Sequence, residues 1–240
     1  MEKVNRPRGD VTLGLLINGF LIWVSLTAGL GQDILALAQS PPAHGEGAAG
    51  GAPSSTEVAS PDPIALEARE KELKAKIDKN GRDFEAAYEL GNLYYDQGRR
   101  TEAEESYRRV LKIQADHVPA RVNLGVVLNE AGKSEEALVE FDAALKLAPE
   151  DVNALCNKGQ ALYALQRYNE AIDHYRRSIQ IDPKSQLAHY LLGIAFADAG
   201  IYREAIRDWQ KVVSIDPNTD AARTASEGIK VLQDMLKTAP

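Results

Sequence analysis

Cysteine is almost missing from this chain: Cys156 is the only one in 240 residues. A single thiol closes no internal disulfide, so packing alone must hold the fold. No cysteine stands near the apolar run at the N-terminus, which excludes lipid attachment of the bacterial lipoprotein kind. Positive charge is also short, with 28 Lys and Arg against 35 Asp and Glu and a net charge of −7. Without a basic patch to displace counterions from phosphates, a nucleic-acid surface is excluded. The four histidines, His44, His117, His174 and His189, form no HExxH pattern, and no CxxC pair is present. Neither a GxxxxGKS/T phosphate loop nor a GxSxG nucleophile elbow occurs, so no catalytic residue, metal or cofactor is expected. The one fingerprint match, Gly45-Glu46-Gly47-Ala48-Ala49-Gly50, is accidental, because no strand precedes it and no βαβ unit surrounds it.

What the chain has is a period. Gly91, Gly125, Gly159 and Gly193 follow one another at 34 residues, as do Ala103, Ala137, Ala171 and Ala205. Tyr107, Phe141, Tyr175 and Trp209 keep the same step, and so do Pro149, Pro183 and Pro217. Each unit reads as two short helices joined by a turn at Gly98, Gly132 or Gly200, with proline closing the second helix. The small residues let the helices approach, and the aromatic fills the wedge between them. Because no unit buries its apolar face alone, the expected fold is an all-α solenoid of stacked helical hairpins. Glu102, Glu136, Glu170 and Glu204 are read as first-turn acids of the second helices, placed by the helix dipole. Cys156 is read as packing.

The Leu-Gly pair, the spaced aromatics, the small residues and the closing proline resemble the tetratricopeptide repeat. The resemblance covers residues 84–117, 118–151, 152–185 and 186–219. It implies that the first helix of each unit lines a concave face through its second, fifth, ninth, twelfth and thirteenth residues. Those positions give the candidate groove residues Tyr88, Asn92, Tyr95, Val122, Val126, Asn129, Gln160, Tyr163, Leu187, Tyr190 and Ile194. An apolar and aromatic groove interspersed with amides suits a peptide or protein partner. One subfamily clamps chaperone C-termini with groove cations. Asn92 and Asn123 match its amides, but Tyr88, Asn153 and Asn157 stand where its cations belong, which disfavours that role. Three departures are expected to matter. Ala115 replaces the closing proline, so the first junction should turn less sharply. Lys158 replaces the leucine before the glycine and should snorkel, and Gln166 replaces a turn glycine.

The flanks complete the reading. Lys3, Arg6 and Arg8 precede Val11 to Leu30, twenty residues without a charge, roughly the length that spans a bilayer core. Residues 1–38 are therefore either an uncleaved single-pass anchor with its N-terminus inside, or a signal peptide cleaved at Ala38-Gln39. Both place the repeats on the extracytoplasmic, periplasmic side. Residues 39–61, rich in Ala, Gly, Pro and Ser, read as a disordered linker. Residues 62–83 read as a capping helix with a thin stripe of Leu66, Leu73 and Ile77, and residues 220–240 as a C-terminal capping helix. The function that follows is non-enzymatic: a scaffold or assembly chaperone holding another protein. A self-associating assembly protein is the alternative. The layout also resembles, at fold level, membrane-anchored repeat proteins of cytochrome c maturation that chaperone an apoprotein.

Overall fold

Each first helix begins on a side-chain cap that recurs with the repeat. In the computed structural model, which describes residues 63–238, the backbone N–H of Ala86 donates to Asp83 at 2.9 Å. Ala120 does the same to His117 Nδ1 at 3.1 Å, Ala154 to Asp151 at 2.8 Å and Ala188 to Ser185 at 3.3 Å. Each cap satisfies a backbone donor that the first turn leaves without a helical partner. These caps open α2 (Phe84–Asp96), α4 (Val118–Glu130), α6 (Val152–Ala164) and α8 (Gln186–Asp198). The second helices are α3 (Arg100–Ile113), α5 (Ser134–Leu147), α7 (Tyr168–Ile181) and α9 (Tyr202–Ile215). A leading helix, α1 (Pro63–Lys79), and a closing one, α10 (Asp220–Thr238), flank them, and no strand occurs among the described residues. None of the ten described helices is long and apolar enough to cross a membrane. The apolar run Val11 to Leu30, the cleavage site and the linker lie outside the described residues.

The aromatic and the glycine of each unit form one lock. A Cβ placed on Gly91, Gly125, Gly159 or Gly193 would lie 2.6, 2.6, 2.3 and 2.3 Å from the ring of Tyr107, Phe141, Tyr175 and Trp209 respectively. The ring thus rests on bare backbone, and Ala103, Ala137, Ala171 and Ala205 are wholly buried beside it. Between paired helices the chain turns through a left-handed residue at Gly98, Gly132 and Gly200, and at Gln166 in the third unit, where φ is +62°. The residue after each turn donates back six positions, as Arg99 does to the Tyr94 carbonyl at 2.8 Å, which closes the helix in a Schellman motif.

Ala115 does not soften the first junction. The residue ending α3, Gln114, has φ −131° and ψ 90°, and Ala148 at the proline-bearing second junction has −131° and 83°. The extended cap and the next helix's own cap set the turn, so proline is dispensable there. Lys158 keeps its stem packed as expected, but its ammonium is held by Asp142 of α5 at 2.7 Å instead of standing in water.

Both ends are closed by helices that copy the repeat. Leu73 and Ile77 of α1 are buried against the first unit, and Glu70 receives hydrogen bonds from Arg99 at 2.7 Å and Tyr94 at 3.0 Å. With Lys74 at 2.6 Å as the foremost partner, these donors hold the Glu70 carboxyl down to about 2. At the other end the Ala222 N–H donates to Thr219 at 3.1 Å, 34 residues after the Ser185 cap, so α10 begins as a fifth first helix. Gly228 of α10 meets the second face of Trp209, where a Cβ would lie 2.4 Å from the ring. Ala222, Ala225 and Leu232 carry its buried stripe as expected, whereas Ile229 is half-buried and Leu236 is 38 % exposed.

Successive first helices touch one another, α4 with α6, α6 with α8 and α8 with α10, while neighbouring second helices make no comparable contact. The stack is therefore tighter along its first-helix side, which is the inner one.

Candidate peptide-binding face

The first helices sort the candidate residues by depth. At the fifth position Val122 and Tyr190 are buried, at 7 % and 1 % exposure, and Cys156 is wholly enclosed, whereas Tyr88 is half-buried. Leu187 and Tyr95 are buried too, each at 5 %. At the ninth position every unit presents a half-buried side chain: Asn92, Val126, Gln160 and Ile194. At the thirteenth every side chain is exposed: Asp96, Glu130, Ala164 and Asp198. The spacing of a helix explains the gradient, since positions four apart descend one face while each turn rotates slightly past it. The ninth positions therefore form an uncharged row, with the thirteenth positions as its acidic margin.

A polar cluster joins the first two units. Asn123 of α4 donates to Asn92 Oδ1 at 3.1 Å and to the Tyr88 hydroxyl at 3.2 Å. The Tyr107 hydroxyl donates to the same Asn92 oxygen at 2.8 Å. Burial pushes the Tyr88 hydroxyl above the usual tyrosine range and Tyr107 further still, so both stay neutral donors. Tyr88 also packs on the His117 ring at 4.9 Å between centroids. Gln160 reaches Asn157 at 3.4 Å, and Asn129 accepts from Ser134 at 2.7 Å, a bond that ties it to its own unit's turn.

Two phenols cross between units to acids. The Tyr95 hydroxyl donates to Glu130 at 2.6 Å, and that of Tyr163 donates to Asp198. In each case donor and acceptor stand 35 residues apart. Sequence reading placed these four residues on the face without pairing them. The interval of one repeat plus one residue was the available signal.

The residues with catalytic potential keep separate company. Cys156 Sγ lies 3.1 Å from Ser178 Oγ, and burial pushes its thiol up to about 12, far from a nucleophile's range. His189 Nδ1 faces Asp208 at 2.8 Å and its Nε2 faces the Pro183 carbonyl at 3.3 Å. His117 serves as a helix cap. Among the described residues no three metal-ligating side chains gather.

Family models described as tetratricopeptide repeat match residues 70–118, 88–151 and 186–219, and one described as TPR repeat matches residues 159–200. Among solved structures the chain is similar to PilW, described as a widely conserved type IV pilus biogenesis factor. That match has 19 % identity, covers 72 % of this chain and 86 % of PilW, and has a TM-score of 0.62. It is similar to MamA from Desulfovibrio magneticus RS-1 at 23 % identity, over 65 % of this chain and 88 % of that one, with a TM-score of 0.58. YrrB, described as a TPR protein with an unusual peptide-binding site, matches at 22 % identity, over 68 % and 84 % of the two chains, with a TM-score of 0.55. At these identities the likeness establishes the fold. No curated protein matches the sequence.

Proposed function

We propose that this chain, which belongs to the tetratricopeptide-repeat family, holds a peptide or protein partner along its first-helix face, outside the cytoplasm. The observation that carries the reading is the row of ninth-position side chains, one uncharged and half-buried residue per unit. A continuous strip of this kind offers contact area from Val126 and Ile194 and backbone partners from Asn92 and Gln160 to an extended or helical segment. Repeat families of this kind are typically interaction modules without catalysis, and the role proposed is that of a scaffold or assembly chaperone. The printed description of YrrB as peptide-binding and of PilW as a pilus biogenesis factor supports it.

The test is capture of partners by the full-length chain with Val126→Asp and Ile194→Asp together. These side chains are half-buried, so the fold should survive, as helical circular dichroism checks. Expected is loss of the principal partner, and an unchanged partner set would remove the reading. Buried Val122 and Tyr190 are unsuitable for this purpose, since a charge placed there would unfold the unit.

The location rests on Lys3, Arg6 and Arg8 ahead of Val11 to Leu30, which export the repeats on either reading of that segment. A C-terminal reporter active only outside the cytoplasm should be active, and one active only in the cytoplasm should be silent.

Self-association is the second reading, because α10 leaves Val231, Met235 and Leu236 exposed at 42, 41 and 38 %. A concentration-dependent mass by light scattering, abolished by Met235→Lys with Leu236→Lys and indifferent to the Val126 and Ile194 changes, would favour it.

A further inference from the structure

The chain repeats with a second, longer period that the glycine landmarks hide. Tyr163 and Asp198 stand 68 residues after Tyr95 and Glu130, two units on, and both pairs make the same phenol-to-carboxylate bond. Arg121 with Glu140 at 2.9 Å and His189 with Asp208 at 2.8 Å repeat across the same interval. So does Arg99 with Glu102 at 2.9 Å and Arg167 with Glu170 at 2.7 Å. The junction of the second and third units breaks the pattern, with Asn129 and Ala164 in the places of the phenol and the acid. The first and third junctions are thus two copies of one notch.

In the first copy the notch holds a guanidinium of the chain itself. Arg100, at the start of α3, lies with its guanidinium carbon 4.2 Å from the centre of the Tyr95 ring. Its Nε donates to Glu130 Oε2 at 2.5 Å, its Nη1 donates to the Tyr95 carbonyl at 2.5 Å, and the Tyr95 hydroxyl occupies Glu130 Oε1. Ring face, carboxylate and carbonyl together surround one arginine. In the second copy the residue corresponding to Arg100 is Tyr168. Its ring meets Tyr163 edge-on at 5.0 Å and stays 47 % exposed. The same acid and the same phenol are kept, and the position that brought a cation brings an aromatic wall. The neighbouring Arg167 is not a substitute, because both oxygens of Glu170 engage its guanidinium at 2.7 Å.

We infer that the notch of Tyr163, Tyr168 and Asp198 is a binding site for the guanidinium of a partner's arginine, taking in from outside what Arg100 supplies within the first notch. Two aromatic rings and a carboxylate suit a cation that stacks and donates in a plane, and arginine does both better than lysine. The site lies where the first helices end, on the acidic margin of the proposed binding face. It rests on that functional reading and adds a chemical requirement to it: the bound segment carries an arginine at this margin, near the third and fourth units.

The probe is N-acetyl-arginine amide, titrated into the full-length chain labelled with 3-fluorotyrosine, against N-acetyl-citrulline amide as a neutral match in shape. Tyr163→Phe and Tyr168→Phe assign the two resonances. Expected is a saturable shift of both with the arginine probe and none with citrulline. Asp198→Asn should weaken binding about tenfold, the loss of one charge-assisted contact. Tyr168→Arg fills the notch from within and should abolish it, and Arg100→Ala should open a second site reporting at Tyr95. Equal response to citrulline, indifference to Asp198→Asn, or no saturable shift in a protein with native helicity overturns the inference. A chain that binds the arginine probe yet keeps its partner through the Val126 and Ile194 changes refutes the functional reading alone. One that loses its partner but ignores the probe refutes only the notch.

Discussion

Replacing Gln166 by glycine should stabilise the third repeat. Gly98, Gly132 and Gly200 turn between their helices at φ +74, +76 and +73°, and Gln166 is forced to +62° in the equivalent turn. The hydrogen bonds are also the same: Gln166 N–H to the Tyr163 carbonyl at 2.9 Å and Arg167 N–H to Leu162 at 2.9 Å, as Gly98 and Arg99 make at 2.9 and 2.8 Å. A Cβ in the left-handed region costs about 1–2 kcal/mol. Glycine returns about 0.4–1 kcal/mol of that through its greater freedom in the unfolded chain. The Gln166 side chain is exposed, so its removal sacrifices little packing. The net expectation is a gain of about 1 kcal/mol, worth about 2–4 °C in Tm for a domain of this size. Stacked repeats are quasi-one-dimensional, so native-state hydrogen exchange should place the gain in α6 and α7 and their neighbours. The mirror substitution, Gly132→Gln, should lose a comparable amount. If Gln166→Gly leaves urea and thermal midpoints unchanged, or lowers them, turn sterics do not limit this repeat and the argument fails.

Gly159→Ala should cost about 1–3 kcal/mol in urea unfolding, because its Cβ would lie 2.3 Å from the ring of buried Tyr175, which has nowhere to move. The His117 imidazole is held below its ordinary value, chiefly by burial, and its Nδ1 accepts the Ala120 N–H, so a proton there breaks the cap. A depressed folded value means that this stability is present above the unfolded histidine's titration, about 6.5, and is lost as pH falls through the folded one. Urea midpoints at pH 7 and pH 5 should diverge less in His117→Asn, which caps without titrating. Cys156, its thiol pushed up to about 12, should react with a disulfide reagent at pH 8 only as fast as the chain opens. Full-rate labelling in the native state would refute that.

Much of this architecture could be read from the letters because the interactions that make it are local and recur. Gly91 to Tyr107 and its three copies sit within one helical hairpin, so spacing alone named the lock that the coordinates contain. The missing glycine at Gln166 pointed to a turn whose dihedral proved left-handed regardless. Depth on the binding face was not legible. Tyr88 and Tyr190 hold the same position in their units, yet one is half-buried and the other 1 % exposed, because exposure depends on what packs over each helix. Nor was the cap at His117 legible, since histidine is an unusual choice and only the ladder of Asp83, Asp151 and Ser185 makes it recognisable.

By itself the sequence determined the period, the all-helical hairpins, the sites of glycine contact and the shortage of catalytic groups, since each follows from backbone sterics and side-chain type at fixed spacing. Only the tertiary structure decided which side chains meet across units. It brought Tyr95 to Glu130, Lys158 to Asp142 and the opening of α10 into the place of a fifth first helix. Those contacts depend on the rise and rotation from one hairpin to the next, a quantity that stacking sets and no single repeat encodes.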